Sequence, residues 1–116
     1  MKFSMTTPLA GEYFTTIRLA VGGICALAGF DVDSAEDFKV CVTESLLILK
    51  RNGFATASVS LSIGEELACE IVGEELGGEK MDSSEDEISR ALLSALLGNV
   101  EFVNDTDKVV KIQFKG

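Results

Sequence analysis

Histidine and tryptophan are absent from this chain, proline occurs once, and ten lysines and arginines stand against nineteen acidic residues. Without histidine there is no imidazole base, no imidazole metal ligand and no side chain whose ordinary pKa lies near neutrality. The shortage of cations leaves a net charge of −9, which argues against nucleic acid as a partner, since its phosphates call for a basic surface. Long apolar runs are lacking too. None approaches the roughly 20 residues a helix needs to cross a bilayer, so no membrane segment is expected. Met1-Lys2-Phe3-Ser4-Met5 lacks the apolar stretch of a signal peptide, and the expected location is cytoplasmic. Cysteine is scarce. Cys25, Cys41 and Cys69 are odd in number, widely spaced and each set in an apolar pattern. They read as reduced core thiols, not as a disulfide framework or a metal site.

What is present suits one domain spanning residues 1–116, with 47% apolar residues to build its core. Lys2 to Thr7 alternates polar and apolar side chains, which predicts a strand ended by Pro8. From Ala10 to Ala28 the residues Tyr13, Phe14, Ile17, Val21, Ile24 and Ala28 recur at helical spacing, with Gly22-Gly23 inside the pattern. Asp33 or Ser34 is placed to cap the next helix, and Glu36 and Asp37 suit the positive end of its dipole. Its core stripe is Phe38, Cys41, Val42, Ser45, Leu46 and Leu49, and Val40, Glu44, Leu47, Ile48 and Arg51 form a neighbouring face. Asn52-Gly53 stops it.

Val59, Leu61 and Ile63 alternate with Ser58, Ser60 and Ser62, a strand with one buried face, and Gly64-Glu65-Glu66 turns the chain into a partner strand at Leu67 to Val72. Gly73 to Ser83 reads as a connecting loop. Ser84-Glu85-Asp86-Glu87 has the form of a capping box that opens a third helix with Ile88, Ala91, Leu92, Ala95 and Leu96 on its core face, ended by Gly98. Two strands, Val100 to Val103 and Lys108 to Phe114, close the chain around the turn Asn104-Asp105-Thr106-Asp107. The order β-α-α-β-β-α-β-β predicts an α+β domain of two layers, three helices on one face of a mostly antiparallel sheet.

The charge is uneven. Between Glu65 and Glu87 there are ten acidic residues against Lys80 alone. Such a stretch serves either as a solvated face or as a docking surface for a basic partner. Glu44 has two readings as well: an edge residue paired with Lys50 or Arg51, or a carboxylate with a catalytic or partner role. Gly77-Gly78 reads as a flexible loop in preference to a phosphate cradle.

The stretch Asp37-Phe38-Lys39-Val40-Cys41-Val42-Thr43-Glu44-Ser45 resembles the N-box helix of the anti-sigma-factor serine kinases, small members of the GHKL (Bergerat-type, histidine-kinase-like) ATPase superfamily. Tyr13 with Ile17-Arg18-Leu19, Gly29-Phe30, and Leu96-Leu97-Gly98-Asn99-Val100-Glu101-Phe102 extend the resemblance over most of the chain, apart from a shortened lid region at Gly73 to Ser83. It implies a GHKL-like sandwich in which Glu44 takes the general-base position. The nucleotide motifs depart from the family. Ile48 stands where the family has the Asn that holds Mg²⁺. The glycine turn that reads adenine is replaced by Gly73-Glu74-Glu75-Leu76-Gly77-Gly78, and the last helix opens on three carboxylates instead of a glycine pair for phosphate.

The resemblance therefore implies an anti-sigma-like regulatory domain that binds a sigma factor or an anti-sigma antagonist without a working ATP site. It leaves a homodimer open. The alternatives are a divergent serine kinase that uses Mg-ATP and Glu44, and a small-molecule binder with a cleft beside Glu44 and Ile48. Arg18 is the candidate partner-binding residue, against an ordinary solvated arginine or one paired with Glu12 or with the acidic segment.

Overall fold

The computed structural model describes residues 1–81 and 84–116. Strand β1 is Lys2–Pro8, followed by a 3-10 turn at Gly11–Tyr13 and helices α1 (Phe14–Leu27) and α2 (Val32–Arg51). Strands β2 (Phe54–Ile63) and β3 (Leu67–Leu76), helix α3 (Glu85–Leu97), and strands β4 (Val100–Asp105) and β5 (Lys108–Lys115) complete it. The five strands form one sheet in the order β1-β2-β3-β5-β4, with every pairing antiparallel. This is an α+β fold of three helices and an antiparallel sheet.

Strand alternation sets which face of the sheet is dry. Val59, Leu61, Cys69, Ile71, Ile112 and Phe114 are buried, while Ser58, Ser60, Ser62, Val72, Lys111 and Gln113 between them stay half-exposed. The helices cover the first set. Helix α2 is the centre of that layer and packs on β2, β3 and β5, with α1 on one flank and α3 on the other. Phe38, Cys41, Val42, Ser45, Leu46 and Leu49 are all buried, as their spacing predicts, and Ile48 and Arg51 on the neighbouring face are buried too. Phe38 meets Phe30 and Phe114 edge to face, with centroids 5.6 and 5.2 Å apart.

Several boundaries differ from the sequence reading. The first helix opens as a 3-10 turn and becomes α-helical only at Phe14, and Gly22-Gly23 lies inside it without a break. Helix α2 is capped by Asp31, not by Asp33 or Ser34: the Ser34 N–H donates to Asp31 Oδ1 at 2.7 Å. That bond and the side-chain hydrogen bond to Ser34 hold the Asp31 carboxyl below its usual range. Ser84 makes no side-chain cap bond and is itself in the α conformation, so the capping box does not form.

The hairpin β2–β3 is longer than expected at its open end, reaching Phe54 and Leu76. A side chain at Gly73 would collide with the Phe54 ring at 2.5 Å, so glycine there lets the strands stay paired. The expected loop from Gly73 is thus strand as far as Leu76, and its residues 82–83 lie outside the described residues.

Helix α3 shows the largest difference. The face expected to be core was Ile88, Ala91, Leu92, Ala95 and Leu96. The buried residues are Ser89 and Leu93, with Asp86, Leu96 and Leu97 half-buried, while Ile88, Ala91, Leu92 and Ala95 face outward.

The three cysteines are free and buried. Burial pushes all three thiols up from 9.0, Cys41 to about 12 with help from Asp37 and Glu44. A folded-state pKa above the unfolded one means that stability is intact below pH 9.0 and declines as the pH rises toward about 12. A thiol reagent at pH 8 is therefore expected to label the folded protein far more slowly than the urea-unfolded chain. Alkaline melting curves should lose stability from about pH 9 upward. Fast stoichiometric labelling of the native protein would contradict this burial.

Candidate functional site

The second half of α2 carries Glu44, Ile48 and Arg51, which helical spacing places along one side, and Asn52 caps its end. The first two turns of α3 bring Glu85, Asp86 and Ser89 opposite them. Ser89 Oγ donates to Glu44 Oε2 at 2.6 Å and accepts from Arg51 Nη1 at 3.1 Å. The same Nη1 donates to Asp86 Oδ1 at 2.6 Å, and Nη2 stands 3.7 Å from Glu85 Oε2. The Arg51 side chain is 11% exposed, Asp86 18% and Glu85 72%. The pair with Asp86 is therefore the strong one, because solvent screens the pair with Glu85.

Backbone groups close the rest of this seam. Asn52 Nδ2 donates to the Ile48 carbonyl at 2.8 Å, and Asn52 Oδ1 accepts from the Val109 N–H of β5 at 3.0 Å. Met81 N–H donates to the Arg51 carbonyl at 2.7 Å. Gly77 and Gly78 both donate to the Gly53 carbonyl, at 2.8 and 3.0 Å. Gly53 has a φ of +95°, and a Cβ there would stand 2.5 Å from the Gly78 oxygen, so no other residue fits the crossing. The Gly77 and Gly78 N–H groups are thus both committed to the Gly53 carbonyl and not presented as an anion cradle. Ile48 has no exposed surface, and among the described residues no buried side-chain polar atom lacks a hydrogen-bond partner.

Glu44 is half-buried, and its partner is Ser89, with Arg51 one link away and Lys50 not involved. An external hydroxyl would have to compete with Ser89 for Oε2 of this carboxylate. The three carboxylates at the start of α3 do not form a uniformly solvated cluster, because Glu85 and Asp86 lie against Arg51. Sequence reasoning missed Ser89 and Asp86. The one available signal was a serine that falls in register with Leu93 and Leu96, with Asp86 one turn earlier.

Arg18 lies apart from this seam. It is exposed on α1 and makes no ion pair among the described residues. With Leu19, Gly22, Val32, Ala35, Glu36 and Lys39 it lines an open groove of about 490 Å³ between α1 and α2. Lys39 bonds Glu36 at 2.5 Å, and this contact, with a smaller contribution from Arg18, holds the Glu36 carboxyl below its usual range. A second open groove of about 780 Å³ lies at one end of the sheet, among Lys2, Ser62, Glu66, Gln113 and Lys115. Neither groove includes Glu44 or Ile48 in its lining. The described residues hold no grouping of acidic or thiol side chains fit for a metal ion. No protein-family model and no curated protein matches this chain.

Arg51→Met is expected to destabilise the fold by about 3 kcal/mol, because it strands Asp86 without its partner. Glu44→Gln should cost about 1 kcal/mol or less, since the amide oxygen can still accept from Ser89. Ile48→Asn should lose about 2–5 kcal/mol, from apolar contact removed and an amide buried without partners. Urea denaturation of the three variants checks the ranking. An Ile48→Asn protein as stable as its parent would show that the side chain reaches water.

Proposed function

We propose that this chain is a regulatory domain that acts by binding another protein, of the anti-sigma-factor kind, with no working nucleotide site. The observation that carries this reading is the closed seam. Where a nucleotide would need a gap between α2 and α3, Ile48 is fully buried and Ser89, Arg51 and Asp86 are bonded across it. Opening that gap for a triphosphate would break the Arg51–Asp86 pair and the Ser89–Glu44 hydrogen bond. Each step is unfavourable without a compensating cation, and Ile48 supplies no oxygen to hold one.

The partner surface in this reading is the groove between α1 and α2. Leu19 and Val32 are 73% and 78% exposed there, beside the cations of Arg18 and Lys39. Apolar area next to a cation suits a partner segment that carries carboxylates, such as an acidic patch on a sigma factor or on an anti-sigma antagonist. The serine-kinase alternative assigns Glu44 to a substrate hydroxyl. It finds support in the fact that Glu44 already accepts from a serine hydroxyl, that of Ser89. In the binding reading the same contact is a tie between helices.

Calorimetric titration with Mg-ATP distinguishes the two readings. The binding reading expects no saturable heat at sub-millimolar nucleotide. A micromolar dissociation constant competed by ADP would establish the kinase alternative in its place. For the partner surface, Arg18→Ala should change stability by no more than about 0.5 kcal/mol, as exposed substitutions usually do. It should weaken capture of a sigma factor or antagonist, with the larger loss at low salt. Identical capture and identical salt dependence would remove Arg18 from the site.

A further inference from the structure

Helix α3 turns its more hydrophobic side to solvent. Ile88 is 62% exposed and Leu92 38%, and Ala91 and Ala95 are exposed between and beyond them. These positions are spaced by three and four residues and form one continuous apolar stripe over two turns. The helix cannot rotate to bury the stripe, because Ser89, Asp86 and Leu93 are held on the opposite side by Glu44, Arg51 and the core. An amphipathic helix that presents its apolar stripe outward is the usual half of a helix-in-groove or helix-on-helix contact.

Charge says what kind of segment covers it. The first turn of α3 carries Glu85, Asp86 and Glu87, and the last turn carries no cation. Arg90, the helix's one base, is stacked over the Phe102 ring at 4.4 Å from its centroid. Arg51 compensates Asp86 and part of Glu85, and Glu87 remains exposed at the end of the stripe. A second copy of this chain would bring the same acids and a net charge of −9 to the contact, which opposes self-association there. We propose that the outward face of α3 docks a basic amphipathic helix of a partner protein. The partner's apolar residues would lie on Ile88, Ala91, Leu92 and Ala95, and its lysines or arginines would stand over Glu87. This surface is separate from the cationic groove at Arg18 and takes the opposite charge.

The chain has no tryptophan, so a tryptophan placed in a peptide reports binding without interference. The probe is a helical leucine–lysine amphipathic peptide with one tryptophan. Its controls are the leucine–glutamate peptide of the same pattern and a scrambled leucine–lysine peptide. Binding is expected for the first alone, weakening as salt rises. The double variant Ile88→Gln, Leu92→Gln should bind at least ten-fold more weakly while its thermal melt stays close to the parent's. Glu87→Gln should flatten the salt dependence, and Arg18→Ala should leave the affinity unchanged, which keeps this test independent of the α1–α2 groove. The proposal fails if the scrambled or acidic peptide binds as well, or if the double variant binds like the parent. It also fails if sedimentation shows a dimer of the protein alone that the double variant dissociates, since the stripe would then belong to a second copy.

Discussion

A guanidinium held almost out of water at the end of α2 is the constraint on which this helix layer depends. Arg51 cannot shed its charge, so burial obliges the fold to surround it with acceptors. Asp86 supplies the charge, Ser89 a hydroxyl oxygen, and the Ser89 hydroxyl donates in turn to Glu44, about two turns back along α2. Four residues, Glu44 and Arg51 of α2 and Asp86 and Ser89 of α3, are thereby tied in a single chain of hydrogen bonds. The backbone carbonyl of Arg51 also takes the Met81 N–H, which anchors the connection into α3.

That tie sets the rotation of α3, and much of the surface follows from the rotation. With Asp86, Ser89 and Leu93 turned inward, the residues one position earlier along the helix, Ile88 and Leu92, must face out. The acidic start of the helix is then divided between an internal duty, at Asp86 and Glu85, and an outward one, at Glu87. The same closure leaves no gap beside Ile48. Two open grooves lie elsewhere, at the end of the sheet and between α1 and α2.

The end of α2 is also where the helix layer is attached to the sheet. Asn52 satisfies the Val109 N–H of β5 with its side-chain oxygen, and Gly53 lets the chain turn into β2 while accepting the two N–H groups of the Gly77-Gly78 turn. Two consecutive residues thus join α2, β2, β5 and the segment after β3. A residue without a side-chain amide at Asn52, or with any Cβ at Gly53, would leave a buried backbone group unpaired or force the Gly78 carbonyl away. The Arg51 network and these backbone ties hold adjacent parts of one seam.

Local pattern determined the elements and most of the core. The α2 stripe from Phe38 to Leu49 and the alternation of β2 were legible because burial follows a period of 3.6 or 2 when one side of an element faces the core. The thiols at Cys25, Cys41 and Cys69 were legible for the same reason. The α2 cap was misplaced because Asp31, Asp33 and Ser34 are all competent caps, and the backbone geometry selects among them. The face of α3 was misread because the most apolar stripe of a helix is its buried one only when no buried charge must be matched. Arg51 lies some thirty-five residues before Asp86, and no local pattern shows that the two will meet. The residue types at Glu44, Ser89 and Arg51 were written in the sequence. Their joining into one network, and the outward turn of Ile88 and Leu92 that follows from it, were decided by the tertiary structure, where a buried cation takes precedence over an apolar stripe.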